Sequence, residues 1–176
     1  MRYLLLIVLL LPSLVWAQEQ AEKDPFEPIK YFVGEWEGHE TGAAGVGKGT
    51  RAYEFVIKDK FLHFKNRSEF PPQEKNPEGE VHEDWGFFSY DQGRQVLVLR
   101  QFHGEGYVNQ YTLDSVSADG KIISFTTEAI ENVPEGFRAR YIFTIEGEDV
   151  FSEKFQLASP GKDFSPLIEN RWTRKK

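Results

Sequence analysis

The sequence contains no cysteine and only one methionine in 176 residues. Without thiols the chain cannot form a disulfide, a thiolate metal site or a cysteine nucleophile, and it cannot carry a lipid on a thiol. Basic side chains are also outnumbered, since 28 Asp and Glu against 21 Lys and Arg give a net charge of −7. This balance argues against a nucleic acid or an anionic membrane surface as a partner bound through bulk charge.

Long apolar runs are confined to the N-terminus, where Leu4–Trp16 is interrupted only by a Pro-Ser pair. Val15–Ala17 then places small residues at positions −3 and −1 of a cleavage site before Gln18. This pattern predicts a secretory signal peptide over residues 1–17 and a single mature domain over residues 18–176. Because a membrane span needs about 20 apolar residues, we expect a secreted or periplasmic protein without membrane contact after cleavage.

The rest of the sequence lacks a sustained helical period, and only a short helical turn is predicted, near Asp24–Pro28. Runs rich in aromatic and β-branched residues alternate instead with Gly, Pro, Asn and Asp. In Phe137–Ile145 every odd-numbered residue is apolar and most even-numbered ones are polar, which indicates a strand with one buried face. The same pattern predicts strands near 34–41, 49–58, 61–70, 80–90, 95–103, 107–116, 121–130, 137–146, 149–158 and 167–175.

Most of the predicted strands are joined by tight links such as Asp91–Gly93 and Ala118–Gly120. Such links connect neighbouring antiparallel strands, and closing the sheet on itself removes its two unpaired edges. The sequence therefore predicts an all-β fold, a single antiparallel meander β-barrel of about ten strands, with a two-sheet sandwich as the alternative. A barrel of about eight strands can already hold one small ligand, so ten strands leave more room.

Two motifs carry a family resemblance. Gly34-Glu-Trp36-Glu-Gly38 resembles the Gly-x-Trp-x-Gly opening of lipocalin-like and nitrobindin-like (calycin-type) barrels. Val81–Phe87 resembles the Leu-His-x-Glu-x-Gly-Phe strand of nitrobindin-like proteins, with Asp84 in the place of their Glu. The chain is most similar to secreted relatives that have no assigned role. The resemblance implies that the Trp packs across the closed end of the barrel and that the two glycines allow strands to cross tightly.

The resemblance also raises the question of heme. Nitrobindins bind heme through a His that follows a Pro on the closing strand. Here Leu167 follows Pro166, and no histidine occurs after His103. We therefore expect no cofactor through the family's own ligand, and heme remains an option only through His63, His82 or His103.

The glycine-rich stretch Gly42–Gly49 partly matches a phosphate-binding loop, but Gly49 stands where Ser or Thr should contact magnesium. The stretch also leads into a predicted strand, whereas a phosphate loop needs a following helix N-terminus. We expect a flexible hairpin loop at the barrel mouth instead of a nucleotide site.

His82 and Asp84 lie two residues apart and therefore share one face of a predicted strand. Two ligands are too few for a zinc site, which needs at least three protein groups, so no metal site is predicted. We expect the pair to hydrogen-bond inside the barrel wall. Glu35 and Glu37 share a face that is expected to be solvated, and no Gly-x-Ser-x-Gly nucleophile elbow occurs, so no catalytic residue is assigned.

The predicted function is an exported carrier or sensor of a small apolar or amphipathic molecule, because aromatic residues, 15% of the chain, can line a cavity. One alternative is an enzyme on the same barrel that uses the His82 and Asp84 pair. The other is an accessory interaction protein without a ligand. The candidate ligand-binding residues are His82, Asp84, Trp85, Phe64, Phe102, Tyr107 and Arg100.

Overall fold

The structure, a computed structural model, describes residues 24–42 and 44–176, and the predicted signal peptide lies outside these residues. One short 3-10 helix, Glu27–Phe32, precedes the strands. The strands are β1 (Gly34–Gly42), β2 (Gly45–Val56), β3 (Phe61–Phe70), β4 (Glu80–Asp91), β5 (Val96–His103), β6 (Val108–Val116), β7 (Ile122–Glu131), β8 (Arg138–Ile145), β9 (Val150–Ala158) and β10 (Ser165–Arg174). Within the described part of the chain, no helix has the length and apolar character that a membrane crossing requires.

The ten strands form one closed antiparallel barrel in which each strand pairs with its neighbours in sequence. Closure is made by β1, where Trp36 is paired with Arg51 of β2 on one side and with Arg174 of β10 on the other. The predicted all-β meander barrel is confirmed, and the two-sheet alternative is excluded by this closure. Because each strand reverses direction, the strand ends alternate between two rims of the barrel, one closed and one open.

The 3-10 helix closes one rim by inserting the buried side chains of Ile29 and Phe32. Trp36, fully buried near the start of β1, donates a hydrogen bond from Nε1 to the carbonyl of Phe32 at 2.7 Å. A Cβ on Gly38 would lie 2.8 Å from the ring of Trp172 on the paired strand, so only glycine allows this close approach. The opening motif thus lies where the chain passes from the closing helix into the barrel wall.

An aromatic core fills the half of the barrel next to the closed rim. Many of its ring pairs interact edge to face, as in Trp36 against Phe151 at 4.7 Å between centroids and Phe88 against Phe125 at 5.5 Å. This packing stabilises the fold and leaves the opposite half of the interior for other groups.

The glycine-rich stretch is largely a strand, which corrects the prediction of a loop over 42–49, because β2 begins at Gly45. Gly47 and Gly49 are buried, and a Cβ on them would lie 2.7 Å from the ring of Phe70 and 2.6 Å from the ring of Trp172. The glycines therefore make room for bulky inward side chains on neighbouring strands. The link that follows β3 folds over the open rim, where the Gln73 side chain bonds both backbone groups of Val46.

Candidate functional site

A cavity of about 450 Å³ occupies the open end of the barrel. It is lined by residues at the ends of three strands, Gly42, Phe70 and His103, which places it opposite the closing helix. Its apolar lining comes from Phe70, Tyr107, Tyr141, Phe155, Leu167 and Ile168, and its polar lining includes Glu40, His82, His103 and Glu105. The cavity therefore combines apolar walls with a small number of polar and charged side chains.

A buried ion pair lies beneath the cavity. Arg51 of β2 donates from Nη1 and Nη2 to the two carboxylate oxygens of Glu153 on β9, at 2.6 and 3.0 Å. The two side chains are only 3% and 1% exposed. Asn170 donates to the same carboxylate at 2.7 Å, and the guanidinium lies 4.3 Å from the ring centroid of Trp172. The barrel centre is thus a hydrogen-bonded polar layer between the aromatic core and the cavity.

The polar layer extends to Asp84 of β4 through Asn66 of β3. Asn66 accepts from Nε of Arg51 at 3.0 Å and donates to Oδ2 of Asp84 at 3.0 Å. Gln101 of β5 donates to Oδ1 of Asp84 at 2.8 Å. Both carboxylate oxygens of Asp84 are therefore oriented by fixed amide donors.

Two histidines lie above Asp84, at the border of the cavity. Asp84 is directly opposite His103 in the pairing of β4 with β5, and His82 lies on the same inward face of β4. His82 Nε2 is 3.3 Å from Oδ2 of Asp84, while its Nδ1 is 2.7 Å from Oε1 of Glu105. His103 Nε2 is 3.2 Å from the amide nitrogen of Asn109. The strand register thus gathers two imidazoles and two carboxylates in one cluster.

The two imidazoles have opposite protonation states near neutral pH. The hydrogen bond to Asp84 raises the pKa of His82 to about 9 against the effect of burial, and the bond to Glu105 adds to the increase. Burial lowers the pKa of His103 to about 4 despite the attraction of Asp84. His82 is therefore held as a hydrogen-bonded imidazolium, whereas His103 is a neutral imidazole that keeps a lone pair for a hydrogen-bond donor or a metal ion.

Glu40, on the inward face of β1, is expected to make stability depend on pH. Burial raises the pKa of its carboxyl group, although Arg51 and the bond donated by Ser68 oppose the shift. Because the folded-state pKa lies above the unfolded one, this group stabilises the fold most fully below the unfolded pKa, and the contribution is lost as pH rises through the folded pKa.

Glu40→Gln should therefore raise the melting temperature at pH 7 and have a smaller effect near pH 4, since the amide removes the buried negative charge. The rise is expected to be a few degrees, because each kcal/mol shifts the midpoint by about 2–4 °C in a domain of this size. Thermal unfolding followed by circular dichroism measures both values. Glu37→Gln, on the exposed face of the same strand, is the matched control, and an equal rise in both variants would contradict the assignment.

The candidate ligand-binding residues predicted from the sequence fall into three groups in the structure: residues at the cavity, one residue in the aromatic core and three residues on the outer wall. His82 and Tyr107 line the cavity, and Asp84 lies directly beneath His82. Phe64 is buried deeper, between the rings of Tyr53 and Phe88 in the aromatic core.

The remaining candidates, Trp85, Phe102 and Arg100, lie on the outer wall and do not line the cavity. Trp85 and Phe102 are paired across β4 and β5 and are 51% and 47% exposed. Arg100 donates to the hydroxyl of Ser89 at 3.2 Å. These three side chains point outward because successive residues of a strand alternate between its two faces, and each of them is next to an inward Asp84 or Gln101.

Sequence reasoning missed most of the polar layer, namely Glu40, Arg51, Asn66, Gln101, Asn109, Glu153 and Asn170. A usable signal existed for Arg51, since it continues the odd-numbered series of β2 that runs from Gly45 to Tyr53. Arg138 and Arg140 of β8 lie outside the polar layer, where their guanidinium groups stack on Phe164 at 4.9 and 4.1 Å from the ring centroid.

The residues present do not fit heme ligation at the position that the nitrobindin resemblance implied. Leu167 follows Pro166 on β10 and lines the cavity, but its side chain offers no ligand atom to iron. The two histidines that border the cavity, His82 and His103, are on β4 and β5 and not at this position of β10.

Comparison with solved structures shows the barrel fold. The crystal structure of Rv2717c from M. tuberculosis is similar with a TM-score of 0.62 and 13% identity, covering 86% of this chain and 98% of that chain. A de novo designed fluorescence-activating β-barrel has a TM-score of 0.42 and 12% identity over 82% of this chain and 94% of its own. No protein-family model and no curated protein sequence matches the chain. At these identities the likeness to Rv2717c defines the fold class, a closed antiparallel β-barrel.

Proposed function

We propose that this protein binds a small amphipathic molecule in the cavity at the open end of the barrel. The observation that carries the proposal is the cavity itself, whose volume of about 450 Å³ lies within the usual range of ligand pockets, about 300–1,000 Å³. Apolar walls with a few convergent polar groups are the usual composition of such pockets. The aromatic core beneath explains why the guest occupies only one end.

The two kinds of lining side chain suggest which parts of a ligand they would contact. Phe70, Phe155 and Ile168 would contact its apolar part, since they are partly or fully buried and present only carbon. His82 and Glu40 would face its polar group. A purely apolar guest would displace water from these polar side chains without replacing the hydrogen bonds of that water, at a cost in free energy, so an amphipathic molecule fits better.

The family resemblance of Gly34–Gly38 and Val81–Phe87 supports the same class of function, because lipocalin-like barrels use their interior to hold small molecules. We also propose that the protein is exported, on the basis of the N-terminal sequence alone. Expression of the full chain in a secreting host should then yield a protein whose measured mass corresponds to residues 18–176, with Gln18 as its N-terminal residue. An intact leader on the purified protein would argue against export.

Ile168→Trp should block the cavity and weaken binding of an amphipathic probe by about tenfold or more, since the indole would occupy the space of the guest. Titration with 1-anilinonaphthalene-8-sulfonate, followed by its fluorescence, measures the effect. Native mass spectrometry against an extracted-lipid mixture then searches for the natural ligand class.

Ile122→Trp provides the matched control, because it adds the same indole to an exposed position on β7 near the closed rim. Its probe affinity should equal that of the unmodified protein. Loss of binding in both variants, or in neither, would contradict binding in the cavity. An unchanged melting temperature in Ile168→Trp is needed to attribute the loss to blocking.

A further inference from the structure

Three inward side chains at the edge of the cavity carry one ligand atom each within 4.8 Å of one another: His82, Asp84 and His103. The pairing of β4 with β5 places Asp84 opposite His103, and the two-residue period places His82 beside Asp84. Their relative positions are therefore set by the backbone of two neighbouring barrel strands. Spacing along the sequence joins His82 with Asp84 but does not join either of them with His103, and for this reason no metal site was predicted.

We propose that His82, Asp84 and His103 form a binding site for a divalent transition-metal ion of the zinc class. Two imidazoles and one carboxylate are three of the donors that Zn²⁺ uses in sites that keep an open position. The same set suits other borderline divalent cations, whereas Mg²⁺ and Ca²⁺ prefer all-oxygen ligands.

The distances require only small side-chain movements. Zinc bonds of about 2.0–2.2 Å in a tetrahedral arrangement place ligand atoms about 3.4 Å apart. His82 Nε2 and Asp84 Oδ2 are already 3.3 Å apart. His103 has to approach by rotation of its side chain, and its Nδ1 is buried without a hydrogen-bond partner among the described residues.

The surrounding residues form the outer contacts that metal ligands usually have. Glu105 bonds Nδ1 of His82 at 2.7 Å, which leaves Nε2 directed at Asp84. This is the carboxylate–histidine arrangement that fixes ring orientation in metal sites. Gln101 and Asn66 each donate to one oxygen of Asp84, at 2.8 and 3.0 Å. The carboxylate is thereby fixed in place.

Charge also favours a cation at this point. Asp84 is buried, and its only ion-pair partner within the described ranges is His82. The nearby Arg51 is bound through both terminal nitrogens to Glu153. On binding, a divalent ion would displace the Nε2 proton of His82 to solvent, take over the imidazolium's role as the cation beside Asp84, and add one further positive charge near Glu105.

A second possible ligand set, Glu80, His82 and Glu105, shares one histidine with the first. Its two carboxylates are exposed and are not held by amide donors of the polar layer. The inner set is preferred because its Asp84 is buried and oriented. The remaining coordination position of an ion there would face the cavity, since His82 and His103 both line it.

Titration of metal-free protein with Zn²⁺ by isothermal calorimetry tests the site. We expect one ion per chain, and a loss of affinity greater than about 100-fold in His82→Gln and in His103→Gln. Glu105→Gln should lose about 10–100-fold, as is usual for residues that orient a ligand. His39→Gln, at an exposed position of β1, should bind like the unmodified protein.

Two further measurements keep the test decisive if a variant folds poorly. Circular dichroism shows whether each variant is folded. In the unmodified protein, Zn²⁺ should shift the imidazole resonances of His82 and His103 but not those of His39. No Zn²⁺ binding by the unmodified protein at micromolar concentrations, or unchanged affinity in folded His103→Gln, would overturn the proposal. Because no organic ligand is added in these measurements, a lack of Zn²⁺ binding would not contradict the proposed binding of an amphipathic molecule. The probe titration with Ile168→Trp tests that proposal separately.

Discussion

Replacing Arg51 by Met is expected to lower the free energy of unfolding by about 3–5 kcal/mol, the usual cost of breaking a buried ion pair by removing one partner. Glu153 would keep its negative charge at 1% exposure without the bidentate guanidinium. Asn66 would lose the donor that now reaches its carbonyl oxygen at 3.0 Å. Chemical denaturation in metal-free buffer measures the loss, which corresponds to roughly 6–20 °C in melting temperature.

Two variants separate the buried charge from a general effect of the substitution. Arg100→Met makes the same change on the outer wall of β5, where the guanidinium bonds only Ser89 among the described residues, and should cost about 0.5 kcal/mol or less. Arg51→Met combined with Glu153→Leu should recover part of the loss, because no unpaired charge then remains buried. A cost below about 1 kcal/mol for Arg51→Met alone would show that the ion pair does not stabilise the barrel.

The barrel was predictable from sequence because its strands carry strong local signals. β3 was predicted with its observed limits, Phe61–Phe70, and β8 differs by one residue at each end. The Gly42–Gly49 stretch was misread because intrinsic preference disfavours glycine in strands. In the barrel this preference is outweighed by the large inward rings of Phe70 and Trp172, which leave no room for a Cβ at Gly47 and Gly49.

The candidate site was only partly predictable because register is not a local property. Spacing alone places His82 and Asp84 on one face. Pairing the predicted strand ends, 90 with 95, would put Gln101 opposite Asp84, whereas the observed pairing of Asp91 with Val96 puts His103 there. A small error at one hairpin thus replaces an imidazole by an amide and hides the third metal ligand.

The second obstacle to predicting the site was that the sequence did not show which face of each strand points into the barrel. Asp84 and Trp85 were both named as ligand contacts, although neighbouring residues of a strand point to opposite sides. Burial decides between them, since Asp84 is 3% exposed and Trp85 is 51% exposed. The charged residue is inside and the aromatic residue outside, against the hydrophobic pattern, because the polar layer provides Asp84 with three hydrogen-bonding partners.

Trp36→Ala is expected to destabilise the protein by about 3–5 kcal/mol, the usual range for removing a large buried aromatic side chain. The indole is fully buried against Phe151, and its Nε1 donates to the carbonyl of Phe32 at 2.7 Å. The substitution would leave a cavity and a buried carbonyl without its donor. The 3-10 helix should then separate from the closed rim, and amide hydrogen exchange in Glu27–Phe32 should accelerate more than exchange in β5 or β6.

Trp85→Ala provides the matched comparison, since it removes the same side chain from the outer wall. The Trp85 ring is half exposed and contacts the ammonium group of Lys65 at 4.6 Å, so its loss should cost about 1 kcal/mol or less. The difference between the two variants measures what the buried position of Trp36 adds to stability, because the chemistry of the substitution is identical, and the exchange of Glu27–Phe32 tests closure of the barrel end. Equal losses, or unchanged exchange in Glu27–Phe32 after Trp36→Ala, would mean that this tryptophan fills space without holding the closing helix in place.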